Sequence, residues 1–282
     1  MARYLDPKND LTFKRIFGEH KHLCISLLNS MLPFDDAHKV VSIEYLPAEL
    51  TPDIPEKKNS VVDVRCTDPT GRQFIVEMQM YWTDSFTSRV LFNASKAYVK
   101  QLNKGKDYKL LQPVYALSFV NEIFEPSKPK EYYHHYKVVN IKDTGKQIEG
   151  LEFIFIELPK FKPENRGEKK LHELWLRFLK IQDSTREVPE ELLHEADTRE
   201  ALGYLEEGAY TEAELYLYDK YWDAVSIEKS LLSDGRAEGL AEGRVEGLAE
   251  GLAKGLAKGE AERQALEAKI AQLEQLLNKN NQ

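Results

Sequence analysis

The sequence predicts an α/β protein in which a mixed β-sheet core is flanked by helices and followed by an all-helical C-terminal region. Two observations lead to this prediction. The first half of the chain alternates short β-branched segments with stretches of helical periodicity, and helical patterns alone follow from about residue 168. The chain has 282 residues, of which 42% are hydrophobic, so there is ample material for a packed core.

The elements can be placed in chain order from their periodicity and turn residues. Asn9 or Asp10 can cap the first of two short helices, and Gly18 is a natural stop for it. The segment TDPTGR marks a tight reversal between two strands, which should therefore form an antiparallel hairpin. The expected elements are two helices within 9–32, strands at 40–46, 61–66 and 73–80, a helix at 84–103, and strands at 113–120, 132–140 and 151–157.

The hairpin brings two acidic residues together. The period of two in strand 73–80 places Glu77 and Gln79 on one face, and a hairpin loop of three or five residues pairs position 63 with position 77. Asp63 and Glu77 then lie ~5 Å apart across the ladder. Like charges are tolerated so close together mainly when a proton or a cation lies between them, and carboxylates are ligands suited to Mg²⁺. In the alternative interpretation, Asp63 pairs with Arg65 and Glu77 faces solvent.

The helix at 84–103 has one apolar and one basic side. Its expected apolar face consists of Leu91, Ala94, Tyr98 and Leu102. A basic row nearly opposite could track a phosphate backbone, although any surface helix displays charge in this way. The row consists of Arg89, Lys96, Lys100 and Lys104.

The tail is a low-complexity repeat with glycine at every fourth position from Gly235 to Gly259. Beyond it, Leu266, Ile270, Leu273 and Leu277 form a coiled-coil seam of two heptads. A homodimer through these C-terminal helices and a repeat extended by replication slippage are both open. We expect three regions, at residues 1–165, 166–230 and 231–282.

The charge is divided along the chain. Residues 1–170 hold 26 Lys and Arg against 23 Asp and Glu, whereas residues 171–282 hold 13 against 24, so a nucleic-acid site should lie in the first half. Two cysteines are too few for a disulfide framework, the charged N-terminus lacks a signal-peptide pattern, and no stretch is apolar enough to span a membrane. We expect a cytoplasmic location.

Several stretches resemble one known family. The order of elements resembles the core of the PD-(D/E)xK nuclease superfamily, the restriction-endonuclease-like fold. More specifically, the segments DPKNDLTFKRIFG, VVDVRCTDPTGRQFIVEMQM, RVLFNASKAYVKQLNKGKDY and PVYALSFV are similar to the recombination-promoting nuclease and transposase family of bacteria. The resemblance covers about residues 4–125.

The resemblance implies a Mg²⁺-dependent (or Mn²⁺-dependent) DNA endonuclease with a role in recombination or mobile elements. It carries Asp63 as the motif aspartate, Glu77 as the second metal ligand, and Gln79 where the superfamily pattern has lysine. A neutral amide can only hydrogen-bond, and Lys96 could supply the missing charge. Asp10 could bring a third carboxylate to the metal, or simply cap its helix.

Two other classes of function stay open. A DNA-binding protein with an inactive nuclease site would explain the missing lysine. In an oligomeric scaffold protein, the C-terminal helices would carry the function. The pairs His20/His22 and His134/His135 lack further ligands at metal spacing, so we expect them to be satisfied by hydrogen bonds or to lie at the surface.

Overall fold

The computed structural model describes residues 3–50, 60–103, 105–162, 171–183, 185 and 187–280, with side chains described up to residue 271. The chain divides into two compact units, Met1–Val225 and Ser226–Gln282. The first unit contains a six-stranded sheet and the helices packed on it. Among the described residues, no helix combines the length and the apolar composition that crossing a bilayer would need.

The main sheet is mixed and has the order β1-β4-β5-β6-β8-β7. β4 and β5 form the expected antiparallel hairpin, while β5, β6 and β8 run parallel in the centre. A separate two-stranded sheet is formed by β2 and β3. The strands are β1 (Glu44–Tyr45), β2 (Glu49–Leu50), β3 (Ser60–Val61), β4 (Val64–Thr67), β5 (Gln73–Gln79), β6 (Val114–Val120), β7 (Tyr133–Asn140) and β8 (Asp143–Glu157).

The helices cover both faces of the sheet. One face carries the larger apolar core, to which Phe13, Phe17, Leu27 and Trp175 contribute from three helices. The opposite face packs on a single helix, α3. The helices are α1 (Asp10–Glu19), α2 (Lys21–Met31), α3 (Asp84–Val99), α4 (Leu171–Phe178), α5 (Glu190–His194), α6 (Ala196–Gly203) and α7 (Glu212–Asn280).

The predicted α/β class with a mixed sheet is confirmed, and several of its details are wrong. The strand expected at 40–46 is limited to Glu44–Tyr45, the helix expected at 84–103 ends at Val99, and the strand expected at 151–157 begins at Asp143.

The segment predicted as one strand at 61–66 is broken at residues 62–63, because Val62 packs with the α3 side of the sheet while Val64 and Cys66 pack with the other side. The apolar face of α3 is rotated from the expected one. Its buried residues are Phe86, Val90, Asn93, Ala94 and Ala97, and Leu91 is half exposed.

The second unit consists of the continuation of α7 from Ser226. The glycine repeat is helical here, and a Cβ added at any glycine from Gly235 to Gly259 would meet nothing within 4 Å. Among the described residues, no helix packs closely enough against these glycines to require the absence of a side chain. The side chains of Leu273 and Leu277 lie outside the described residues, so the coiled-coil seam stays a prediction.

Candidate active site

Asp63 lies in a bend directly before β4. The pairs Val64–Val76 and Cys66–Phe74 give the hairpin the predicted register, in which position 63 is opposite position 77. Because the backbone bends at residue 63, the β4–β5 ladder ends at the Val64–Val76 pair and does not include Asp63. The Asp63 carboxylate continues the pairing instead, since its Oδ2 accepts the backbone N–H of Met78 at 2.7 Å.

Glu77 is buried in β5, on the sheet face that packs against α3. Its side chain is 6% exposed, so the alternative in which Glu77 faces solvent is wrong. The amide of Asn93 on α3 donates to Oε1 at 3.1 Å, and Oε2 has no hydrogen-bond partner among the described residues. A buried carboxylate oxygen without a partner is costly unless a cation or a proton compensates for it.

The two carboxyl groups are both harder to ionise than ordinary acids. Burial raises the pKa of Asp63 to about 7, and the charges of Glu77 and Asp10 add to this, against the Met78 N–H bond and the charge of Lys14. Burial also raises the pKa of Glu77, while the charge of Arg89 and the Asn93 hydrogen bond act in the opposite direction. The protein surroundings of these two residues therefore favour the protonated form of each carboxyl group more than water does.

Arg65, which the alternative interpretation pairs with Asp63, forms its hydrogen bond with another residue. Arg65 donates to Oε1 of Gln73 at 2.9 Å. The interpretation in which a guanidinium beside Asp63 neutralises it therefore has no support in the observed hydrogen bonds.

Gln79 has both ends of its amide in hydrogen bonds. Its Nε2 donates to the carbonyl of Tyr81 at 2.7 Å, and its Oε1 accepts from the guanidinium of Arg89 at 2.5 Å. Arg89 lies over the ring of Phe86, 5.0 Å from its centroid, and is otherwise exposed. The position where the superfamily pattern has a lysine thus holds a glutamine that is bonded to an arginine.

Asp10 is the first residue of α1 and does not cap it. Asn9 is the cap, because its side chain accepts the N–H of Leu11. The Asp10 carboxylate forms an ion pair with Lys14 at 2.7 Å, one turn along the helix. Both residues influence the pKa of Asp63, so the start of α1 faces the acidic end of the hairpin.

The basic row of α3 divides into residues with different surroundings. Lys96 donates to the carbonyl of Leu50 at 2.5 Å and to Oγ of Ser60 at 3.4 Å, so its ammonium lies at the β2–β3 sheet. Lys100 is the exposed C-cap residue of α3. Lys104 lies outside the described residues.

Sequence reasoning missed Asn93. It is a polar residue in the buried face of α3, 1% exposed, and the strand period alone could not indicate which helix residue would meet Glu77. A signal was available: an asparagine among apolar residues at helical spacing requires a hydrogen-bond partner in the interior. Arg89 was expected at the phosphate backbone, and its bond to Gln79 adds a contact that the helix pattern does not predict.

The donor set can be compared with the needs of a divalent cation. Oε2 of Glu77 is unpartnered and Asp63 is held at the adjacent β5 backbone, a pair of oxygen donors that suits Mg²⁺ or Mn²⁺ completed by waters. Within the described part of the chain, no group of three or more His, Cys, Asp or Glu residues is arranged to hold a metal. The two carboxylates fit a cation that takes its remaining ligands from outside the protein.

Two histidines expected to have local partners do have them. Nε2 of His134 lies 2.8 Å from Oε1 of Glu157, and Nε2 of His135 lies 2.7 Å from Oε2 of Glu152.

Comparison with known families identifies the chain at the level of the family. The model of the PD-(D/E)XK nuclease family transposase matches residues 7–234, which include the hairpin, α3 and the start of α7. The chain therefore belongs to this family. Searches among curated proteins and among solved structures gave no significant match.

Proposed function

We propose that this member of the family is a metal-dependent DNA endonuclease that hydrolyses phosphodiester bonds during recombination or the movement of mobile elements. The observation that carries the proposal is the unpartnered, buried Oε2 of Glu77 at the end of a hairpin where Asp63 has a pKa of about 7. Two acids in these surroundings are expected to bind a divalent cation in place of their protons. On this proposal, the six-stranded sheet is the restriction-endonuclease-like core.

Asp63 and Glu77 would hold Mg²⁺ or Mn²⁺, with Asp10 as a further carboxylate at the start of α1. When bound, such an ion polarises the phosphodiester and lowers the pKa of a bound water. Two groups of the protein orient the carboxylates that would hold the ion. The Met78 N–H fixes Asp63, and the Asn93 amide holds Oε1 of Glu77 so that Oε2 is left available.

Arg89 is our candidate for the charge that the lysine of the superfamily pattern would provide. Its guanidinium is anchored on Gln79 and lies close enough to Glu77 to lower the pKa of that carboxyl. An exposed guanidinium retains further donors for a phosphate oxygen. Gln79 positions Arg89 in this scheme. The catalytic role of Lys96 stays a prediction, because its ammonium is bonded at Leu50.

The substrate is expected to be DNA that runs along α3. Lys96, Lys100 and Lys104 continue the basic row that starts at Arg89 in the candidate site, and each neutralised phosphate would add salt-dependent affinity. Residues 171–282 hold 24 acidic against 13 basic residues, so the long-range attraction of DNA is expected from the first half of the chain. A cytoplasmic location and a homodimer through the C-terminal helices complete the proposal.

Cleavage of supercoiled plasmid tests the proposal. Wild-type protein with Mg²⁺ should nick or linearise the plasmid, and activity should disappear with EDTA. Asp63→Ala and Glu77→Ala should each lower the rate by at least ~100-fold, whereas Asp36→Ala, at an exposed turn, should leave it unchanged. Equal cleavage by all of these proteins would indicate contamination and overturn the proposal.

A second candidate function is DNA binding without cleavage. It is favoured by the neutral amide of Gln79 at the place of the lysine, because an amide brings no positive charge to the site and its Nε2 and Oε1 are already bonded to Tyr81 and Arg89. Salt-dependent binding of DNA by wild-type protein, with no cleavage in Mg²⁺ or Mn²⁺, would select this candidate.

A further inference from the structure

A groove of about 740 Å³ lies at the end of the parallel strands, on the sheet face opposite α3. Its walls come from the segment before α1, the ends of β5, β6 and β8, the segment after α4, and the first turns of α7. A volume of this size is typical of sites for small organic groups. The lining residues used below are Met80, Asn121, Lys180, Gln182, Asp219 and Trp222.

The groove begins where the candidate catalytic strand ends. Met80 lines it and directly follows Gln79, and the backbone N–H of Asn121 donates to the carbonyl of Gln79 at 2.8 Å. Ligands of open sheets with parallel strands usually bind at the carboxyl ends of those strands. Because Met80 directly follows Gln79, a DNA strand that passes the carboxyl end of β5 from the α3 side would enter the groove.

Trp222 gives the groove a rigid aromatic wall. Two tyrosines pack edge-to-face on its indole, with ring centroids 6.2 Å away for Tyr218 and 5.4 Å away for Tyr221. The hydroxyl of Tyr218 is fixed in turn, because it donates to Asp183 and accepts the N–H of Asp6. A half-buried indole held in this way is suited to stacking against a flat ring.

The described lining of the groove includes three aspartates and two lysines, and the two lysines differ in their surroundings. Lys8 is already satisfied, since its ammonium contacts Asp6 at 2.7 Å and the carbonyls of Leu179 and Ile181. Lys180 is exposed and donates to the carbonyl of Phe161, which leaves protons for another acceptor. Positive charge for a phosphate is thus available at the Lys180 end.

The remaining polar groups are of the kinds that hydrogen-bond to the edge of a nucleobase. Within the described residues, the side-chain amides of Asn121 and Gln182 and the exposed carboxylate of Asp219 have no hydrogen-bond partner in the structure. An amide can both donate and accept, and a carboxylate accepts from an exocyclic amino group. A base inside a duplex has its faces stacked and its pairing edge covered, so only an unpaired base can use both kinds of contact.

We propose that this groove binds an unpaired nucleotide of the DNA strand next to the cleaved bond, with its base on Trp222 and its phosphate at Lys180. The inference rests on the proposed function for the identity of the ligand, and it adds a substrate class. Substrates with a single-stranded overhang, flap or gap are bound more tightly than blunt duplexes.

Fluorescence anisotropy of labelled oligonucleotides in EDTA tests this without cleavage. Wild-type protein should bind an overhang duplex at least ~10-fold more tightly than a blunt duplex of the same length. Trp222→Ala should remove this preference and leave blunt-duplex affinity unchanged, while Trp222→Phe should retain most of it. Tyr108→Ala is the matched control, because Tyr108 is an aromatic residue 82% exposed elsewhere on the surface.

An overhang with abasic sites gives a test that needs no folded Trp222→Ala protein. The abasic overhang keeps the phosphates and removes the bases, so wild-type protein should lose the same preference. Asn121→Ala should weaken binding of the intact overhang and not of the abasic one. Lys180→Ala should weaken both. Free deoxynucleoside monophosphate should compete only at millimolar concentrations if the strand, and not a free nucleotide, is the ligand.

Equal affinity of wild-type protein for overhang and blunt DNA, or equal loss on both with Trp222→Ala, would overturn the inference. The outcome is independent of catalysis. If the protein never cleaves DNA but shows an overhang preference that depends on Trp222, the endonuclease proposal is wrong and the nucleotide site in the groove is supported. If it cleaves DNA without an overhang preference, the endonuclease proposal is supported and the nucleotide site is wrong.

Discussion

The amide of Asn93 donates to Oε1 of Glu77 across the α3–β5 interface and leaves Oε2 of the same carboxylate without a partner. Helix α3 thereby fixes the orientation of an acid on the sheet. Groups that orient metal ligands typically affect metal affinity or activity by 10–100-fold.

We expect Asn93→Ala to weaken Mn²⁺ binding and DNA cleavage by about 10–100-fold. Calorimetric titration with Mn²⁺ and initial rates on plasmid measure the two effects. Ser95→Ala, which removes a polar group two residues along α3, is the control and should alter neither. Unchanged metal affinity in a folded Asn93→Ala protein would show that Glu77 needs no support from α3.

The raised pKa of Asp63 makes the metal-free protein sensitive to pH. The folded state keeps a proton up to about pH 7 that the unfolded chain releases near 3.8. The stabilisation from this proton is complete below about pH 4 and is lost progressively as the pH rises to the folded-state pKa of about 7, by at most ~4 kcal/mol in total. In EDTA, the free energy of unfolding should therefore fall between about pH 4 and pH 7 and level off above pH 7.

Asp63→Asn should flatten this pH dependence and raise the melting temperature at pH 8, because a neutral amide can still accept the Met78 N–H. Glu77 also has a raised pKa, so Asp63→Asn/Glu77→Gln should flatten it further. Asp36→Asn is the control, since Asp36 is at an exposed turn. The same slope in wild type and Asp63→Asn, measured by urea unfolding, would contradict the burial of this charge.

The contact between Gln79 and Arg89 predicts that a lysine at position 79 can take over the role of Arg89 in cleavage. Arg89→Ala should lower the cleavage rate by ~100-fold or more, and Gln79→Lys in that background should restore it to within about tenfold of wild type. Lys106→Ala, at another exposed cation, should have no such effect. If Gln79→Lys/Arg89→Ala is as slow as Arg89→Ala, Arg89 acts only in folding or in DNA binding.

The tail predicts an oligomeric state that light scattering can measure. On the homodimer proposal, the full-length protein has twice the chain mass of 32.6 kDa, and a chain ending at Ser230 is monomeric. Leu266→Asp/Ile270→Asp should also give monomers, whereas Gln264→Asp in the same helix should not. An unchanged mass on truncation would leave the glycine repeat and the leucine seam without this role.

Much of the fold could be predicted because the sequence is locally consistent in its first half. The hairpin register followed from the length of one turn, and the faces of β5 followed from its period, with Phe74 and Val76 on one side and Ile75 and Glu77 on the other. The antiparallel β4–β5 pair and the placement of Cys66 in the core were obtained in the same way.

The remaining features depend on contacts between elements distant in sequence. The break at residues 62–63 arises because β3 pairs with β2, and the backbone N–H of Val62 donates to the carbonyl of Ala48. The rotation of α3 is set by the small and aromatic residues that fit the sheet, which leaves Leu91 outside. The Asn93–Glu77 and Arg89–Gln79 contacts require that rotation, so the strand period alone could not provide them.

On the proposed function, Asp63 and Glu77 together hold one divalent cation, which crystals grown with Mn²⁺ and measured at the manganese absorption edge would reveal. We expect a single anomalous peak within coordination distance of a carboxylate oxygen of Asp63 and of Oε2 of Glu77, and its loss in Asp63→Asn. Both side chains ordered, with no peak between them at saturating Mn²⁺, would contradict it.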